Sequence, residues 1–232
     1  MTASTAASAP TAPLTRSLFF LSVFYGGMVC IAGVLGNKQV SLGPLSSIGP
    51  MLGVGPLAIE AGIFAFLMLV VVSSAVAELH GRAVANRLVL FGFVPLLVSI
   101  ALSVIVLALP AAHEMAPDRQ AAFAMILSGT PRIWAGGIVA YGISQMLNVT
   151  IFSFLKGREG SRLLWLRAAT ASILSQIVDT LLFVTIAFYG VFPISELLMG
   201  QMLAKVVLSA ILVPPMIYAF VALGRKLDRA EA

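Results

Sequence analysis

Apolar residues gather along the chain in six long runs, separated by short stretches that carry most of the charge. The runs cover residues 17–36, 57–79, 88–109, 132–155, 168–190 and 197–223. A helix needs about 20 mainly apolar residues to cross a bilayer core, and each run supplies them. The pattern predicts an all-α polytopic membrane protein with six transmembrane helices. A six-helix domain over 17–224 is expected, with a disordered cytoplasmic tail at 1–16 and a second cytoplasmic tail at 225–232. The leader MTASTAASAPTAPLT is small, polar and Pro-containing, and lacks the basic n-region of a cleaved signal peptide. The first run is rich in glycine (Gly26, Gly27, Gly33, Gly36), which in a span usually means close helix packing.

Polar positions inside these runs are few and patterned. In the fifth, Ser172, Ser175, Gln176, Asp179 and Phe183 recur at three- and four-residue intervals, so they share one helical face. A carboxylate at mid-bilayer costs roughly 2.5–3.5 kcal/mol on insertion scales, so Asp179 needs a compensating role. The fourth run carries an echo: SQMLNVTIF at 144–152 and SQIVDTLLF at 175–183 both read S-Q-x-x-[N/D]-x-x-x-F. Gln145 and Asn148 thereby repeat the arrangement of Gln176 and Asp179 on an antiparallel neighbour. In the sixth run Gln201, Lys205 and Ser209 fall at i, i+4 and i+8. Counting 1.5 Å per residue, Lys205 and Asp179 lie ~12 and ~16 Å in from the same end, so an ion pair between consecutive helices is expected. Glu78 sits near the end of the second run, within reach of water or of Arg82 at i+4.

The segment NKQVSLGPLSSIGPMLGVGP at 37–56 is too interrupted by Gly and Pro for a helix and too apolar for a free surface loop. Two readings stay open. It folds back over the outer mouth of the bundle, or it lies on lipid headgroups.

Composition agrees with the membrane reading. The chain of 232 residues is 60% hydrophobic and 10% charged, whereas a soluble domain carries about 25% charged residues. The basic residues fall in loop clusters, so the pI near 9.8 reflects topology rather than nucleic-acid binding. One cysteine, Cys30, excludes an intrachain disulfide. His80 and His113 stand apart, and no metal or cofactor site is suggested. No nucleophile elbow, HExxH motif or pair of intramembrane aspartates supports catalysis, so an enzyme is not expected.

Four stretches carry a family likeness: GVLGNKQV; AGIFAF with AELHGRAVANRLVLFGF; YGISQMLNVTIFSFLKGREGSRLLWLRAATASILSQIVDTLLFVTIAFYG; and LAKVVLSAILVPPMIY. Together they cover most of the chain after residue 30, and the third is the most specific. The chain resembles the YhhQ-type family of vitamin-uptake-transporter-like proteins, whose members import queuosine precursors. The family commonly has Asp where Ser74 stands and often where Asn148 stands. The resemblance implies a fold related to the substrate-binding subunits of energy-coupling-factor importers. It also implies a bacterial inner-membrane location and a role in salvage for tRNA modification. The implied ligand is a 7-substituted 7-deazaguanine. Its N1–H and 2-amino group are donors and its O6 is an acceptor. A carboxylate suits the donors, an amide or ammonium suits O6, and aromatic rings stack on the flat bicycle. Asp179, Gln176, Lys205, Asn148, Gln145 and Phe183 supply these groups, and Glu78 and Asn37 complete the candidate set. Besides this small molecule and the bilayer no partner is implied, and a homo-oligomer is left open. The rivals are a transporter of another purine-like heterocycle or vitamin, and a binding subunit that needs an energising partner.

Six spans place both termini on one side. Ten basic residues (Arg16, Arg82, Arg87, Lys156, Arg158, Arg162, Arg167, Arg225, Lys226, Arg229) then share that side, against Lys38, Arg119 and Arg132 on the other. The positive-inside rule makes the majority side cytoplasmic. Reporter fusions after residues 16 and 225 are expected to report the cytoplasm in both cases; a periplasmic signal from either contradicts the six-span topology.

Overall fold

The computed structural model describes residues 15–229 apart from 42, 52, 54–57, 129–130, 160–162 and 191–194. The expected tail at 1–16 and Arg162 therefore lie almost wholly outside the described residues. Among the described residues the helices are α1 (Arg16–Leu35), α2 (Ile48–Met51), α3 (Gly62–His80), α4 (Arg82–Ala108), α5 (Pro117–Leu127), α6 (Pro131–Glu159), α7 (Leu164–Phe188) and α8 (Ser195–Arg229). Six of them, all but α2 and α5, are long and apolar enough to cross a membrane. The chain is an all-α polytopic membrane protein.

Boundaries depart from the apolar runs where local chemistry decides. A single residue, Gly81 at φ 88°, separates α3 from α4, a backbone conformation that glycine adopts without penalty. Helix α4 therefore begins at Arg82, before the apolar run at 88. Charge makes 82–87 read as a loop, yet arginines extend a helix freely once it leaves lipid. The short α5 opens with Pro117 and Asp118 and buries none of its residues; at 11 residues it is too short to cross a bilayer. Helix α8 continues through Pro214 and Pro215 to Arg229.

The segment after α1 is not a structureless loop. Strand β1 (Gln39–Ser41) pairs antiparallel with β2 (Ala58–Glu60), with Gln39 opposite Glu60. A 3-10 turn at Gly43–Ser47 and α2 lie between them. The hairpin folds back on the bundle: Ile59 is fully buried, and β2 contacts α8. Its end of the bundle, which also holds α5, is the hairpin end; the opposite one, where α1 starts at Arg16 and α8 finishes at Arg229, is the terminal end.

Helix α3 is the axis of the bundle. It contacts α1, α4, α6 and α8, and Leu67, Leu69, Val70, Val71 and Val72 are all buried. On the other side α6 packs on α7, and α7 on α8. At Gly92 an added Cβ would run into the Tyr141 hydroxyl and lie 2.8 Å from the Tyr25 ring. The bare backbone there lets the two tyrosine hydroxyls, 2.9 Å apart, join α1 to α6. Of the four glycines in the first run, Gly36 packs closely, since a Cβ built at Gly62 would lie 3.2 Å from its Cα; the others do not. Nothing lies within 4 Å of a Cβ built at Gly27 or Gly33, and only Pro95 approaches one at Gly26.

At the terminal end, polar groups clamp the helices. Ser17 Oγ donates to Asp228 Oδ2 (2.7 Å) and lies 2.8 Å from His80 Nε2, joining α1, α3 and α8. Glu78 does not pair with Arg82, which instead donates to Thr150 Oγ1. Its Oε2 meets Arg167 at 2.6 Å and Lys156 at 3.1 Å. Arg167 is fully buried, with its guanidinium 4.5 Å from the centre of the Phe152 ring. Removing one partner of a buried ion pair usually costs 3–5 kcal/mol, and Lys156 remains to hold Glu78. Arg167→Met is thus expected to cost about 3 kcal/mol, roughly 6–12 °C in the thermal midpoint in detergent for a chain of this size. Adding Glu78→Gln should recover at least half of that shift. An unchanged midpoint in the single variant, or no recovery in the double, contradicts this account.

Candidate functional site

Helix α7 places Asp179 on its polar stripe, facing α6 and α8. The carboxylate is 7% exposed and Lys205 of α8 is 6% exposed. Lys205 Nζ lies 3.3 Å from Asp179 Oδ2. Ser144 Oγ of α6 donates to Oδ1, also at 3.3 Å. The three groups come from three helices, so packing of α6, α7 and α8 fixes the geometry. Both contacts are long, and each carboxylate oxygen has two lone pairs, so Asp179 retains acceptor capacity.

Asp179 and Lys205 line a cavity of about 500 Å³ in the hairpin half of the bundle. That volume falls in the usual range for small-molecule sites, roughly 300–1,000 Å³. Its walls are mostly apolar and include Phe66, Trp134, Tyr141, Phe183 and Phe188. Phe183 meets Phe188 edge to face, with ring centres 5.9 Å apart. A flat, partly polar molecule fits this combination of rings and one charged pair.

Glu60 also lines the cavity, and the apolar-run reading passes over it. It sits at the end of β2, just before α3, and Gln201 Nε2 of α8 donates to it at 3.4 Å. Burial pushes the Glu60 carboxyl above its ordinary range. Lys205 and the Gln201 hydrogen bond pull it back in part, and Asp179 adds to the rise. A signal was present in the sequence, because Glu60 is the one charged residue between Lys38 and Glu78.

The other sequence candidates divide by depth. Asn37 lines the cavity, but its Nδ2 is committed to backbone carbonyls of Gly33, Val34 and, at 2.9 Å, Ile126 of α5. Gln145, Asn148 and Gln176 are fully buried and do not line the cavity. Gln145 Oε1 accepts from Ser73 Oγ at 3.3 Å. Asn148 Nδ2 donates to Ser73 Oγ (3.2 Å) and Ser74 Oγ (3.0 Å). Among the described residues, neither amide atom of Gln176 has a hydrogen-bond partner, nor do Gln145 Nε2 and Asn148 Oδ1. Glu78 lies apart, in the Arg167 and Lys156 cluster at the terminal end. Among the described residues no group of three His, Cys, Asp or Glu side chains is placed to hold a metal ion.

Residues 60–219 match a family model described as "Putative vitamin uptake transporter". The chain is also 32% identical over 150 residues to the "Probable queuosine precursor transporter" of Bacillus subtilis strain 168. That match covers 62% of this chain and 63% of the relative, so it spans less than two thirds of the relative's length. No solved structure matches. The family match begins at Glu60 and contains Asp179, Phe183, Gln201 and Lys205. The chain belongs to the family described as "Putative vitamin uptake transporter".

Proposed function

We propose that the protein is an importer of the bacterial inner membrane, with both termini cytoplasmic, that takes up a queuosine precursor. The ligand is a 7-substituted 7-deazaguanine, and the chain performs transport without chemistry on it. The observation that carries this reading is the Asp179–Lys205 pair in the wall of an apolar, aromatic cavity. Asp179 accepts from the N1–H and 2-amino group, and Lys205 donates to O6. Phe183 and its aromatic neighbours cover the faces of the ring, where stacking is worth roughly 1–3 kcal/mol per base in nucleic-acid systems. The name of the Bacillus relative supports the same ligand class. Gln176, Gln145 and Asn148 act deeper, as polar stations along the route to the terminal end. Their unpartnered amide atoms suit a passing ligand that carries both donors and acceptors.

A second reading, a binding subunit that needs an energising partner, draws support from the open position of α1 at Gly27. Uptake by this chain alone, in a host without such partners, separates the two; uptake that requires an added partner favours the second.

A site built to bind a donor edge rejects analogues lacking it, because its own polar groups are left unpaired. Asp179→Asn is expected to weaken binding on the order of 2–5 kcal/mol, the range for disrupting a buried charged hydrogen bond. Removing the 2-amino group from the ligand should weaken binding to the wild type, and much less to Asp179→Asn. The four affinities form a cycle, and additive penalties in it contradict the role given to Asp179.

A further inference from the structure

The charges on the cavity wall do not balance. Asp179, Lys205 and Glu60 line it, so two carboxylates share one ammonium. Lys205 lies 3.3 Å from Asp179, and among the described residues Glu60 has no ion pair. The elements packed round Glu60 bring no second cation to it. Besides Asp179 of α7 and Lys205 of α8, the titratable side chains on the wall are Cys30 of α1 and Tyr141 of α6, and neither supplies positive charge. The backbone carbonyl of Lys38 accepts from Ala61 N at 2.8 Å, but its side chain is exposed.

Gln201 of α8 touches Glu60 without lining the cavity. Its Nε2 donates to Glu60 Oε1 at 3.4 Å. The side chain is 2% exposed, and its own Oε1 is buried with no hydrogen-bond partner among the described residues. An ionised carboxylate has acceptors only, so it cannot satisfy that carbonyl. A protonated carboxyl can. It carries one O–H donor beside its C=O acceptor, and a primary amide carries N–H donors beside its own C=O. The two groups pair through two hydrogen bonds, one in each direction. One proton on Glu60 therefore removes both the surplus negative charge and the unpaired carbonyl of Gln201, which is costly to bury. Burial acts in the same sense, raising the Glu60 carboxyl above its ordinary range, and Lys205 and the Gln201 hydrogen bond offset it only in part.

We propose that Glu60 is a proton-binding site of the importer, with the Gln201 amide as its receptor, and that one ligand and one proton load the cavity together. This rests on the deazaguanine reading and extends it to what drives uptake. A flat ligand that engages Asp179 and Lys205 displaces water and turns the ammonium toward the ligand. Both changes disfavour the charged form of Glu60. Ligand binding thus draws a proton onto Glu60, and by reciprocity a proton on Glu60 tightens ligand binding. In the proposed topology the hairpin end is the outer one. The proton comes from water on that side and is released with the ligand to the cytoplasm, so an inward proton gradient drives accumulation.

The test uses the purified full chain and 7-cyano-7-deazaguanine, a probe with no basic substituent. In detergent its affinity should rise as pH falls from about 8 to about 5, by up to about tenfold per unit for one linked proton, and level off once Glu60 is protonated. Glu60→Gln is neutral at every pH and keeps the pairing with Gln201, so its affinity should change by less than about twofold over that range. In liposomes the wild type should accumulate the probe when the medium is more acidic than the lumen, and Glu60→Gln should only equilibrate it. If Glu60→Gln does not fold, Glu60→Asp decides the matter. Its shorter side chain draws the carboxyl away from Gln201, so the midpoint of the pH dependence should fall by more than the ~0.4 unit that separates the two ordinary carboxyls. Wild-type binding indifferent to pH, a wild-type slope in Glu60→Gln, an unmoved midpoint in Glu60→Asp, or uptake indifferent to the gradient overturns the proton site and leaves the deazaguanine reading in place. Failure of the wild type to bind the probe at any pH overturns both.

Discussion

A carboxylate and an ammonium held 3.3 Å apart inside an apolar bundle constrain everything around them. Each charge alone is expensive at that depth, and the attraction between them seldom repays the loss of hydration better than apolar packing does. The protein surrounds this weakness with support. Ser144 on α6 donates to Asp179, α7 and α8 present the pair across one interface, and the neighbouring wall is aromatic. The β1–β2 hairpin brings Glu60 to the same cavity. A bundle selected for stability alone has no reason to gather three charges there. The proposed recognition of a polar, flat ligand supplies one.

The polar groups continue beyond the cavity. Ser73, Gln145, Asn148 and Ser74 are joined by hydrogen bonds where α3 meets α6. Toward the terminal end stand Glu78, Arg167 and Lys156, which bind α3 to α7 and α6. Two charged clusters thus lie at different depths with neutral amides and hydroxyls between them, the arrangement on which the proposed route rests. Positions 74 and 148, where the family resemblance leads one to expect aspartates, touch each other through the Asn148–Ser74 bond of 3.0 Å. Two carboxylates that close would oppose each other's ionisation. Here a neutral hydrogen bond occupies that place, below the cavity that Asp179 and Glu60 line.

Much of this was legible in the sequence because period and depth are one-dimensional quantities. The six spans follow from apolar length, and the shared face of Ser172, Gln176 and Asp179 follows from helical spacing. The Asp179–Lys205 pairing follows from counting residues along antiparallel helices. Three things were not legible, each for a reason of tertiary contact. Glu60 was passed over because it falls near the start of an apolar run, and only the hairpin carries it to the cavity. Glu78 looked like a partner for Arg82, because local spacing hides the buried Arg167 on a helix far along the chain. Gln145, Asn148 and Gln176 share the stripe logic of Asp179, but spacing does not reveal how far down the stripe the cavity ends.

The central claim is that Asp179 and Lys205 are kept for the ligand and not for the fold. The direct measurement compares Lys205→Met, Asp179→Leu and the double variant for thermal midpoint in detergent and for binding of a 7-deazaguanine. A single change should destabilise by leaving one buried charge unpaired, on the order of 3–5 kcal/mol. The double variant should regain the wild-type midpoint and bind no ligand. A double variant that is folded and binds the deazaguanine as the wild type does would contradict the account.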